Sequence, residues 1–267
     1  MNTNQAESSK VISAEKKYWN PFFAVAITLG IFLVSQFLAS FVLSFIFMIY
    51  AMINFWIFGD VVKYNIWLEN GAFPKFLYIL IIDIIVVILV LLALKRKSLS
   101  FKDIGWKRFR KKDITLAMMG FLTYFGLYFV VAIVAKWLIP SLDVNQRQEL
   151  GFEQTKQFFD LLLIGISLVI LPPLVEELLM RGFLYTNLRA NLKYIPSLLI
   201  TSIIFASLHL QFDNDAPLLW VAAIDTFVLS AVLVSLRERS NSLWPAILVH
   251  MLKNGLAFIL LFIFKVG

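Results

Sequence analysis

The chain contains no cysteine. That excludes disulfides, thiolate metal sites, a cysteine nucleophile and attachment of a prenyl or palmitoyl group to the protein itself. Histidine is nearly as scarce: His209 and His250 are the only two. Charged residues make up 15% of the 267 residues against 60% hydrophobic, and the mean hydropathy is +0.83. So little charge in a chain of this length excludes a soluble globular domain. The first 20 residues lack the short apolar core and small-residue cleavage site of a signal peptide and read as a polar cytoplasmic tail. No internal repeat or low-complexity tract is visible.

What the chain does have is a series of long apolar runs. Phe22 to Phe58 holds no charged residue. As helix it would extend about 55 Å, against a hydrocarbon core of about 30 Å. It therefore reads as one long span or two cramped ones. Further runs are Phe76 to Leu94, Ile114 to Ile139, Phe158 to about Leu188, Ile195 to Leu210, Pro217 to Leu236 and Leu243 to Phe264. The expected fold is all-α, a polytopic transmembrane bundle of seven spans, or eight if the first run is split. Residues 21–157 form the N-terminal spans with a basic loop at 95–112, and residues 158–264 the spans that carry the motifs below.

The net charge of +7 does not point to nucleic acid. The basic residues lie mainly between apolar runs, where topology and anionic headgroups account for them. Counted by side, 16 Lys and Arg fall on the face shared by the tail and the 95–112 loop and 6 on the other. The richer face is expected in the cytoplasm of a cell-membrane protein. Trp106 and Phe109 are expected at the interface.

Charge inside the apolar runs is the exception that needs a reason. The stretch LPPLVEELLMRGF, Leu171 to Phe183, holds two prolines, Glu176, Glu177 and Arg181. The prolines remove two backbone donors, so a break or kink is expected there. Glu177 and Arg181 are i and i+4 and can neutralise each other. Glu176 lies about 100° away around the helix and is free to face something else. In IIFASLHLQ, Phe205 and His209 share a face, and in SLWPAILVHMLKN so do His250 and Asn254. Counted from the cytoplasmic anchors, Glu176 lies about 20 Å deep, His209 about 24 Å, His250 about 17 Å and Asn254 about 23 Å. Polar groups of three helices thus reach one level, as in a water-filled cavity within the membrane. Asp83 and Asp225 are the other membrane carboxylates, and Lys253 adds a cation that can pair with Asp225 or snorkel.

Such a set suits peptide-bond hydrolysis without a covalent intermediate. Glu176 would be the general base on a water held with His209, and His250 and Asn254 would donate to the oxyanion. The same atoms also allow one divalent metal such as zinc on Glu176, His209 and His250, although the HExxH spacing is absent. No cofactor is required by the first version, and both stay open.

EELLMRGF, FASLH and HMLKN resemble the Glu-Glu-x-x-x-Arg, Phe-x-x-x-His and His-x-x-x-Asn motifs of the CPBP family, which includes type II CAAX prenyl endopeptidases and bacteriocin-processing proteins. The resemblance covers roughly Phe158 to Phe264. It implies that Glu176 with His209 activates water, that His250 with Asn254 forms the oxyanion site, and that Glu177 and Arg181 support the helix. It also implies an intramembrane endopeptidase, metal- or glutamate-dependent, whose partners are the lipid bilayer and a membrane-associated peptide, prenylated or bacteriocin-like. The sixth span, TFVLSAVLVSL, departs from the family in lacking glycines. A non-enzymatic immunity or sensor-regulating protein is the alternative, and a proton-coupled transporter lacks the repeated halves it would need.

Overall fold

The computed structural model describes residues 17–58, 67–68, 70–143, 157–210 and 219–265. The tail up to residue 16 and most of the outer loop expected at 140–157 lie outside them. The described residues form helices without strands. We number the apolar ones α1 (Pro21–Phe58), α2 (Ala72–Lys95), α3 (Lys111–Leu138), α4 (Phe158–Asn191), α5 (Tyr194–Ser207), α6 (Trp220–Ser240) and α7 (Trp244–Ile263). Six are long and apolar enough to cross a membrane, and α5 is shorter. The chain is a multi-pass membrane protein, and its first apolar run is one uninterrupted helix rather than two.

Two compact units make up the chain. One comprises Met1–Thr28, Leu91–Glu149 and Glu176–His250, the other Leu29–Val90, Leu150–Val175 and Met251–Gly267. In the first unit α6 packs against α5 and α3. Its core joins Ala117 and Tyr124 of α3, Leu229 and Leu233 of α6, and Ala246 and Val249 of α7. The close approach that α6 does not supply through glycines comes from α3. A Cβ on Gly120 would lie 2.6 Å from the Leu236 side chain.

Hydrogen bonds tie the loop ends of this unit. Arg110 N–H donates to the Asp113 carboxylate at 2.8 Å, so an aspartate in the first turn of α3 satisfies a donor the helix leaves open. Asn241 adopts the left-handed conformation, φ 52°, and ends α6. Gly105 has a positive φ of 94°, which favours glycine, and a Cβ there would also meet the Arg237 guanidinium at 2.6 Å. Its carbonyl accepts from Leu243 N–H at 2.9 Å. Trp244 packs against Trp106 and Phe109 and donates Nε1–H to the Lys107 carbonyl at 2.6 Å.

In the second unit Ala72 and Ile164 pack with Leu168, Phe258 and Phe262.

Of the break or kink expected at Pro172 and Pro173, a break is not found: α4 runs without interruption from Phe158 to Asn191. Instead the helix widens into a π-turn at Ile166–Ile170, ahead of the prolines, and a second at Leu178–Leu184. Leu171 N–H reaches back five residues to the Ile166 carbonyl. This slip in register lets the helix absorb the missing donors and ring crowding without stopping.

Candidate active site

The site in the first unit is built from α4, the end of α5 and α7. Glu176 and Glu177 close the straight part of α4, and Arg181 follows inside its second π-turn. Glu177 and Arg181 are fully buried, and Arg181 Nη1 donates to Glu177 Oε1 at 2.8 Å. The i,i+4 geometry allows this, and mutual neutralisation makes the burial tolerable.

Glu177 does more than balance Arg181. The same Oε1 lies 2.9 Å from Nδ1 of His250 on α7. Paired with the guanidinium, the carboxylate acts only as an acceptor, so the His250 proton sits on Nδ1 and Nε2 is the outward atom. That Nε2 stands 3.9 Å from Glu176 Oε2. His250 therefore lies between the two glutamates, bonded to one and a short gap from the other. The Glu176 side chain is 35% exposed and that of His250 5% exposed, while the Glu176 Oε2 atom itself is buried.

His209 differs from the helical residue expected. Helix α5 stops at Ser207, and His209 lies in the turn beyond it. Its Nδ1 is 2.8 Å from the Phe205 carbonyl. A carbonyl only accepts, so this nitrogen donates, caps the helix end and leaves Nε2 as the acceptor. The sequence reading has Glu176 and His209 share a water; the imidazole beside the Glu176 carboxylate is that of His250. His209 joins the group through Phe205. That ring lies 4.5 Å from the His209 ring and 5.9 Å edge-on from the His250 ring, and the Arg181 guanidinium stands 4.5 Å over it. The sequence treated Phe205 only as a motif letter, yet it touches three of the polar side chains.

Asn254 belongs to the second unit, one turn beyond His250 along α7. Its Nδ2 donates to the Leu168 carbonyl at 2.9 Å. Asp225 accepts from the Tyr124 hydroxyl. Among the described residues no three His, Asp or Glu side chains are grouped to hold a metal ion. Glu176, His209 and His250 thus do not form a ready ligand set.

Chemically, the cluster offers a partly exposed carboxylate facing an imidazole whose far nitrogen is fixed by a buried ion pair. Residues 158–256 match the family model described as type II CAAX prenyl endopeptidase Rce1-like. No curated protein and no solved structure matches the chain.

Proposed function

We propose, for a chain whose residues 158–256 match the type II CAAX prenyl endopeptidase Rce1-like family model, that it is an intramembrane endopeptidase with Glu176 as general base. Its substrate is a membrane-associated peptide or protein, prenylated or bacteriocin-like, reached from the cytoplasmic face that carries the basic loop. The observation that carries this reading is the bond from His250 Nδ1 to Glu177, which presents Nε2 3.9 Å from Glu176 Oε2. Glu176 Oε2 is buried there and makes no hydrogen bond, which leaves its lone pairs for the attacking water.

Glu176 takes a proton from this water as its oxygen bonds to the scissile carbonyl carbon, and the carbonyl electron pair becomes the oxyanion. Protonated on both nitrogens, His250 donates from Nε2 to the oxyanion while Glu177 holds Nδ1. Its charge then faces Glu176, and Glu177 and Arg181 cancel, so the four groups together are neutral. By the family resemblance Asn254 is the second oxyanion donor, and His209 Nε2 accepts a hydrogen bond from the attacking water. When the C–N bond breaks, Glu176 returns its proton to the leaving amine.

The test is cleavage of prenylated and unprenylated CAAX peptides by the protein in liposomes, with and without hydroxylamine. The expected result is two peptide products with no hydroxamate, because water attacks directly. Replacing His209 with alanine is expected to lower kcat by about 10²-fold. A trapped hydroxamate, which requires an acyl-enzyme, would overturn the scheme.

A further inference from the structure

We infer that the Asn254 amide is aimed by a backbone carbonyl that the two prolines of α4 leave without a donor. The carbonyl is that of Leu168. In an α-helical register its donor would be the N–H of residue 172, and in a π register that of residue 173. Both are proline and have no N–H. The N–H of Leu171, which would serve a tighter turn, is already used on the Ile166 carbonyl. Leu168 O therefore has no donor in any of these three helical registers, within a segment where water is scarce and an unmet carbonyl is costly. Asn254 Nδ2 supplies the bond at 2.9 Å. Beside it a Cβ on Gly255 would lie 3.5 Å from the Val169 side chain, and Leu168 packs with Phe258, so the surroundings are apolar.

The prolines and the asparagine thus form one device. The prolines open a fixed acceptor, and that acceptor orients the amide so that its second hydrogen has a defined direction. The structural half of this inference stands without the proposed hydrolysis; the statement that the second hydrogen meets an oxyanion rests on it.

A double-mutant cycle separates the two. In the parent protein, Asn254→Ala is expected to lower the unfolding midpoint in detergent by about 2–4 °C, the loss of one buried hydrogen bond. In a Pro172→Ala background the new N–H takes over the Leu168 carbonyl, and the same change should cost less than half as much. Equal losses in both backgrounds would overturn the inference. Asn254→Asp, which keeps the shape but sets a carboxylate oxygen against the carbonyl, should fall below Asn254→Ala in the parent background. An aspartate variant as stable as the parent would overturn it equally, and this arm does not need Pro172→Ala to fold. For activity, Pro172→Ala alone gives the amide bond a competitor, so kcat is expected to drop several-fold with KM unchanged. A stability coupling without this kcat effect would retain the cap and reject the aimed second hydrogen.

Discussion

The two compact units handle polarity in opposite ways. The first buries Asp113, Glu177, Arg181, Arg237 and His250, each bonded to a neighbouring side chain or backbone group. The second buries Asp83 as its one charged residue among those described, and of its side-chain bonds between helices the one from Asn254 to Leu168 repairs a backbone defect. The difference teaches where chemistry can be placed. Charges persist in an apolar protein where several helices supply mutual partners.

The largest effect expected from breaking this contrast is at the buried pair. Arg181→Leu leaves Glu177 charged and buried beside His250 and should cost about 3–5 kcal/mol, read as loss of folded protein in detergent. Replacing Glu177 and Arg181 together by leucine should restore much of that stability. It should still abolish turnover, because His250 loses the acceptor that fixes its ring. If the double variant cleaves peptide normally, the orienting role of Glu177 is wrong. A smaller effect belongs to Gly105, whose backbone and neighbour both resist a side chain: Gly105→Ala should cost about 1–3 kcal/mol in chemical unfolding.

The smallest lies at Asp103, outside the membrane. Hydrogen bonds from the Ser100 hydroxyl and backbone, followed by Lys17, lower its carboxyl from the ordinary 3.8 to about 2. Because the folded value is the lower one, this contribution is complete above about pH 4 and disappears as pH falls toward 2. It should amount to less than about 1 kcal/mol. Asp103→Asn should remove it, seen as equal protease sensitivity of the 95–112 loop at pH 3 and pH 6 where the parent loop is more resistant at pH 6.

How far these features can be read from the sequence depends on the range of the interaction. Glu177 with Arg181 is legible because four residues on a helix fix a contact. The bond from Glu177 to His250 joins residues 73 apart. Counting residues from the cytoplasmic anchors gives the depth of a group and not the direction it faces, so the same count places His209 and His250 equally near Glu176. The apolar run around Phe205 carries no glycine or proline to mark the end of α5, and His209 reads as helical although it caps that end. Pro172 and Pro173 call for a break by local rules, and the π-turn before them is a response of the whole helix that no residue at 166–170 announces.

The most direct test of the account is turnover and unfolding midpoint measured side by side for Glu176→Gln in liposomes and detergent. This substitution keeps the shape of a partly exposed side chain and removes its capacity to accept a proton. The account predicts peptide cleavage reduced by about 10³-fold or more with the midpoint unmoved. Cleavage at the parent rate would contradict it.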